Sequence, residues 1–323
     1  MKLQKKASIC AILICSMLTA SVTGVSAAGR AVSGNSTTDT NADTSAQTEI
    51  LNETQQIESD EDAGISTYSL PANSYRMNVN INGRDVLQGQ VFGIGSTTYV
   101  PMFKFCDWLG VFSYSYDRMR GVATVSGKGL EISASEGALY IVANGRYFYT
   151  VDEILEINGV IYVPIRPLTK ALNSKIEWSN TDNEFKVYSG DTSRLKTAAQ
   201  VYNNDEIYWL SRIINAEAGG ESLQGKIAVG NVILNRVRSS QFPNTIYSVI
   251  FDRKFGVQFS PTANGAIYKT PNTESIIAAK MCIEGYSLST EVLYFFNPKT
   301  SPTNWISQNR QFAFRVQNHV FYY

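Results

Sequence analysis

Between about Tyr75 and Gly190 the chain repeats itself, and this duplication restricts the fold more than any other feature of the sequence. Asn82-Gly83-Arg84 recurs as Asn144-Gly145-Arg146, Tyr99-Val100-Pro101 as Tyr162-Val163-Pro164, Leu109 as Leu172, and Ser126-Gly127 as Ser189-Gly190. The offset is 62 residues for the first pair and 63 for the rest. Each unit reads as a strand, an Asn-Gly turn, a second strand, a short helix launched by Val-Pro, and a closing hairpin such as KIEWSNTDNEFKVYS. Two such units in tandem are expected to pack on one another as an α+β, hairpin-rich module over residues 71–190.

The residues ahead of this module read differently. Lys2, Lys5 and Lys6 precede an apolar run that ends in small residues, so 1–28 reads as a secretory signal cleaved after Ala27 or Ala28. The run from Ala7 to about Ala20 is short for a bilayer span and is interrupted by Ser and Thr, which argues against stable membrane insertion. Residues 29–70 hold eight Asp or Glu against one Arg, with too little apolar surface to bury, and read as a disordered acidic spacer. Cys10 and Cys15 would leave with the signal. Cys106 and Cys282 sit in the apolar helical patterns FKFCDWL and AAKMCIEGY, where buried free thiols are expected rather than a disulfide. The single histidine, His319, cannot build a His-rich metal cluster, which excludes most zinc amidases and zinc peptidases; no metal or other cofactor is expected.

After a linker at 191–200, residues 201–323 form the last segment. It carries 11 basic and 8 acidic residues, a weak positive balance that suits an anionic wall polymer and gives no reason to expect nucleic acid. Its opening stretch, NNDEIYWLSRIINAEAGGES, is the most informative in the chain. Asn203 can cap a helix, with Glu206 returning the bond from the third position, and Ile207, Leu210, Ile213 and Ile214 form one apolar stripe. Gly219 and Gly220 are expected to end the helix through backbone angles that other residues avoid. Glu217 then lies on the last turn beside the stripe. A carboxyl half-buried there loses hydration and its pKa rises, which is what a general acid needs near neutral pH. On these residues alone, Glu217 and Glu221 also read as solvated surface acids, although a carboxylate at a helix C-terminus opposes the macrodipole.

The string NAEAGGESLQGKIAVGNVILNRVRSSQFPNTIYSVI, followed by VQFSPTANGAIY, YFFNP and NHVFYY, resembles the cell-wall hydrolase family of spore cortex-lytic enzymes over nearly all of 201–323. That resemblance implies a mainly helical, lysozyme-like catalytic domain in which Glu217 is the catalytic acid and Glu221 matches the family's second glutamate. It also implies peptidoglycan as partner and substrate, at the cell wall of a secreting cell or in a spore cortex. The repeated NG..YVP...L unit resembles the copper amine oxidase N-terminal-like domain, which implies an accessory or binding module. Copper is not expected, because residues 71–190 contain no histidine.

Glycosidases usually hold two carboxylates about 5 to 9.5 Å apart across the scissile bond. Glu221 is the only acidic neighbour of Glu217 in sequence, and the two glycines between them leave its direction open. A one-carboxylate mechanism, lytic transglycosylation with a 1,6-anhydro-MurNAc product, is the better fit. A hydrolytic muramidase or glucosaminidase using Glu221 and a non-catalytic wall-binding protein are the alternatives. Gln258, Phe259, Tyr294, Asn297 and Trp305 are the candidate substrate-binding residues, while Phe295, Phe296 and Phe321 are assigned to the core. Asn235 and Arg236 suit structural hydrogen bonds as well as ligand contact, and His319 suits C-terminal packing as well as a catalytic part.

Overall fold

The computed structural model describes residues 70–323, except Phe112, Pro302 and Thr303. The expected signal at 1–28 and the spacer up to residue 69 lie outside the described residues. Leu70, the last residue assigned to the spacer, is half-buried and packs against the cluster of Phe92, Tyr99 and Tyr162.

The first unit contains β1 (Ser74–Arg76), β2 (Asn78–Ile81), β3 (Arg84–Val86), β4 (Phe92–Ile94), β5 (Thr97–Pro101), helix α1 (Met102–Trp108), β6 (Ser113–Asp117) and β7 (Val122–Gly127). The second contains β8 (Leu130–Ser135), β9 (Tyr140–Ala143), β10 (Arg146–Tyr149), β11 (Leu155–Ile157), β12 (Val160–Pro164), α2 (Ile165–Ala171), β13 (Lys175–Ser179) and β14 (Glu184–Tyr188). The Asn-Gly steps behave as the sequence predicts: Asn82 and Gly83 have φ of 52° and 83°, Asn144 and Gly145 of 49° and 77°, as a two-residue hairpin of the I′ kind requires. Pro101 and Pro164 end their strands and stand at the cap position, one residue before each helix.

The repeated Tyr-Val-Pro motif pairs with its own copy. β5 and β12 are antiparallel, with Tyr162 opposite Pro101, Val163 opposite Val100 and Pro164 opposite Tyr99. That register is self-complementary about the Val100–Val163 pair, and both valines are fully buried. The duplication thus generates a pseudo-two-fold axis, and the sheet ordered β1-β4-β5-β12-β11 spans it. The terminal hairpins change sides. β13–β14 joins β2–β3 through a parallel β14–β2 pair, while β6–β7 joins β9–β10 through β8. Asn82 and Ser189, both repeated residues, lock the first exchange with reciprocal bonds of 2.9 and 3.0 Å. Neither unit could close its core alone, since one buried cluster runs from Val79 to Leu195 through both.

The expected linker is a packed connector. Leu195 is buried in the module core, Asn144 holds its carbonyl at 3.3 Å, and helix α3 (Ala198–Val201) begins with a bond from the Ala198 amide to the Asn144 carbonyl at 2.9 Å. Beyond it come α4 (Asn204–Ala218), α5 (Leu223–Arg238), α6 (Ile246–Ile250), α7 (Pro261–Asn264) and α8 (Thr273–Ile283), then β15 (Tyr294–Phe296), α9 (Trp305–Asn309), β16 (Phe312–Val316) and β17 (His319–Tyr322). The whole has mixed α and β content, and the last segment itself adds a sheet ordered β15-β17-β16 to its helices. Helix α5 is central and almost wholly buried between α4 and α8. Gly230 permits this: a Cβ there would stand 2.7 Å from the Cys282 sulfur and 2.9 Å from Ile214 Cδ1. Cys106 and Cys282 are buried, unpaired and in separate cores.

The duplicated module docks on the helices. The Arg146 guanidinium donates to both Glu284 carboxylate oxygens, at 2.8 and 2.6 Å. Tyr149 stacks on Tyr286 with centroids 4.0 Å apart, its hydroxyl accepts from Gln224 at 3.0 Å, and Tyr202 accepts from the Tyr147 amide at 3.0 Å.

Candidate active site

Helix α4 delivers Glu217. The Asn203 side chain accepts from the Asp205 amide at 2.9 Å, so the cap forms, but without the reciprocal Glu206 bond expected from the sequence. Leu210, Ile213 and Ile214 are buried, and Glu217 continues that face one turn on. The helix end departs from expectation. Gly219 keeps a helical φ of −58°, and it excludes a side chain because a Cβ would meet the Asn215 carbonyl oxygen at 2.5 Å. Asn215 is occupied in turn: its side-chain oxygen accepts from the Asn272 amide at 3.0 Å and the Ser275 hydroxyl at 3.3 Å, tying the end of α4 to the start of α8.

Glu217 is half-buried. Loss of hydration pushes its pKa up to about 7, against the opposing pull of Arg236. Arg236, from α5, is buried, and its Nε donates to the Leu293 carbonyl at 2.8 Å while a second nitrogen reaches Gln258 Oε1 at 3.5 Å. Its guanidinium carbon lies 4.8, 5.1 and 5.6 Å from the ring centroids of Phe242, Phe259 and Tyr294. Burial lowers the Arg236 pKa to about 10, so it stays cationic at neutral pH and is a permanent positive charge within Coulombic reach of Glu217.

Arg236 gathers three of the predicted binding residues, Gln258, Phe259 and Tyr294. Phe259 is 3% exposed, so its ring backs the site and cannot meet a sugar face. Tyr294 is half-buried and its hydroxyl accepts from Arg310 at 3.1 Å. The Arg310 guanidinium carbon stands 4.5 Å from the Tyr294 centroid and 5.2 Å from that of Trp305, which is 52% exposed. Asn297 is used locally, its side-chain oxygen closing a turn on the Lys299 amide at 2.9 Å. Phe295 and Phe321 pack against the helical core as assigned. The two guanidiniums that organise this face are what sequence reasoning missed or left undecided. Arg236 stood beside Asn235 as an ambiguous helix residue, and Arg310 carried no signal at all. Asn235 proves structural, donating to the Ser289 and Val292 carbonyls at 2.9 and 3.0 Å.

Glu221 is engaged elsewhere. Asn318 donates to its carboxylate through the side chain at 2.9 Å and the backbone at 3.3 Å, and His319 Nδ1 lies 3.9 Å away. Burial alone would raise its pKa, but the Asn318 bonds with His319 and Lys226 bring it below the usual carboxylate value. Burial likewise pulls His319 down, partly offset by Glu221, and its ring meets Phe295 edge-on at 5.5 Å. Among the described residues no group of three or more His, Cys, Asp or Glu side chains is arranged to hold a metal ion.

The family model described as Cell Wall Hydrolase matches residues 220–322, and that described as copper amine oxidase N-terminal domain matches residues 80–218. Glu217 thus stands three residues ahead of the first of these matches. A spore cortex-lytic enzyme of Bacillus subtilis is 38% identical over 120 residues, covering 37% of this chain and 38% of the relative. The cell wall hydrolase CwlJ of Oceanobacillus iheyensis is 32% identical over 128 residues, covering 38% of this chain and 88% of the relative. Among solved structures, the catalytic domain of the germination-specific lytic transglycosylase SleB from Bacillus anthracis is 36% identical, with 38% of this chain and 97% of that chain covered and a TM-score of 0.35. The chain spans 38% and 45% of the length of the spore cortex-lytic enzymes of Bacillus subtilis and Bacillus cereus that it matches.

Proposed function

The chain belongs to the cell wall hydrolase family, and from that premise we propose that it cuts the glycan strands of peptidoglycan between MurNAc and GlcNAc, with Glu217 as its acid. The observation that carries this reading is the Glu217 carboxyl, half-buried, with its pKa pushed up to about 7 by burial and within Coulombic reach of Arg236, which itself meets Gln258 and Tyr294. A group with that pKa gives and recovers a proton at neutral pH with little cost in either direction. The last segment would carry this chemistry in a lysozyme-like arrangement. The proposed place of action is the cell wall or spore cortex, reached by secretion; among the described residues no helix is long and apolar enough to cross a membrane.

The reaction proposed is lytic transglycosylation. Glu217 protonates the glycosidic oxygen, the bond from MurNAc C1 to that oxygen breaks, and GlcNAc leaves as the alcohol. The Glu217 carboxylate then takes the proton of the MurNAc 6-hydroxyl as that oxygen closes on C1, so no water is consumed and the acid is restored. Glu221 is a poor second carboxylate, because Asn318 holds it against the β16–β17 turn. The substrate's own hydroxyl gains from its effective molarity instead. Mass spectrometry of muropeptides released by the full chain is expected to find 1,6-anhydro-MurNAc ends, one water lighter than hydrolysed ends and resistant to borohydride. Mostly reducible ends, with Glu221→Gln as inactive as Glu217→Gln, would establish the two-carboxylate hydrolase.

The acid must be protonated to act. With a pKa of about 7, cleavage is expected to fall roughly tenfold per pH unit above that value and to be insensitive to this group below it. Initial rates on purified walls from pH 5 to 9 test the point, and a rate still rising at pH 8.5 would remove Glu217 as the proton donor.

A further inference from the structure

The duplicated module holds a cavity of about 190 Å3, lined entirely by its own residues and by none from the helical segment. Its apolar wall is built by Val151, Pro164, Ile165 and Phe185, and its polar side by Thr97, Thr98 and Arg166, with Ser96 beside them. Arg166 is exposed, and its guanidinium carbon lies 5.3 Å from the Phe185 centroid. No described side chain or carbonyl takes a hydrogen bond from that guanidinium, so its fork of donors is available. Thr97 spends its proton on the Asp152 carboxylate, which leaves its oxygen free to accept.

The duplication supplies its own control. At an offset of 63 residues the counterpart of Arg166 is Phe103. Phe103 is half-buried against the module core and stacks on Tyr114 with centroids 5.0 Å apart. One copy therefore carries an aromatic ring stacked on its neighbour at this position, and the other carries a cation that lines a cavity. The Val100–Val163 axis makes the two positions equivalent in backbone, so the difference lies in the side chains rather than in the fold.

We propose that this cavity binds the C-terminal carboxylate of a peptide ending in a small apolar residue, the group that peptidoglycan stem peptides present. The Arg166 fork matches a carboxylate in geometry as well as charge. The Thr97 oxygen can accept from the terminal amide, and Val151, Ile165 and Phe185 suit a methyl side chain. The assignment of source rests on the wall-cleaving reading above. It gives the module a role distinct from bond cleavage: holding the stem peptide raises the effective concentration of the glycan at Glu217.

Isothermal titration of the full chain with acetyl-Lys-D-Ala-D-Ala, with its C-terminal amide, and with glycerol 3-phosphate tests this. The free acid is expected to bind at least tenfold more tightly than the amide or the phosphate. Arg166→Gln and Val151→Asp, both at exposed positions, are each expected to weaken acid binding at least tenfold. Equal binding of acid and amide, binding of glycerol 3-phosphate alone, or full affinity in Arg166→Gln would overturn the assignment. Cleavage of peptide-free glycan is read in parallel and should be unchanged in Arg166→Gln. Loss of peptide affinity with cleavage intact supports the proposal, whereas peptide binding by a chain that cleaves nothing sinks the catalytic reading and leaves this site standing.

Discussion

Glu217→Gln is expected to lower the rate of glycan cleavage by about two to four orders of magnitude, the usual range for removing a general acid, while leaving the fold intact. The amide keeps the shape of the carboxyl and has no proton to give. The same substitution should also make the protein more stable at alkaline pH, and the sign follows from linkage. Glu217 has a folded pKa of about 7 against an ordinary value of 4.5, so between those values the native state holds a proton that the unfolded state has released. Stability therefore falls as pH rises from about 4.5 to 7, and the deficit persists above 7. Discounted for partial exposure, it is about 1–2 kcal/mol. Urea unfolding of Glu217→Gln should match the parent near pH 4 and exceed it by that amount at pH 8. A variant that clears walls within threefold of the parent would exclude Glu217 as the acid. A stability difference independent of pH would show that its carboxyl is not desolvated.

The sequence made Glu217 legible because helix periodicity is local: Leu210, Ile213 and Ile214 define a buried face, and Glu217 falls on it. The Asn-Gly hairpins were legible for the same reason, since two residues suffice to set a turn. The hairpin exchange was not. Asn78 and Glu184 are partners in the β2–β14 pair, and no local pattern states which of two similar units a strand will join. Arg310 was hidden for a related reason, because its contact with Tyr294, across a separation of 16 residues, exists only in the folded chain. Gly219 shows a subtler failure. Glycine at a helix end suggests a left-handed residue, yet here its role is the absence of a Cβ beside the Asn215 carbonyl, a steric demand invisible without coordinates.

Breaking the Arg146–Glu284 pair on one side is expected to have the largest effect on stability. Glu284 stands at the C-cap of α8, where a carboxylate opposes the helix dipole, and its side chain is only 3% exposed. It is tolerated there because Arg146 holds both of its oxygens, while Lys170 takes the adjacent Glu284 carbonyl at 3.0 Å. Arg146 closes the second Asn-Gly-Arg motif; its counterpart Arg84 is exposed, so one of two duplicated arginines has been recruited to dock the module on the helices. Arg146→Met leaves a buried carboxylate without its counter-charge, which should cost about 3–5 kcal/mol. Glu284→Met should cost less, because the freed arginine is 15% exposed and can turn toward water. The double substitution should recover most of the loss, since it removes both desolvation penalties at once. Urea titration of the four proteins completes the cycle. If Arg146→Met unfolds within 1 kcal/mol of the parent, water reaches the pair, and docking then rests on Tyr149, Tyr202 and Tyr286. If the large cost appears, the module also shields a charge of the helical segment, and removing it would expose Glu284 at the end of α8 as well as delete a binding surface.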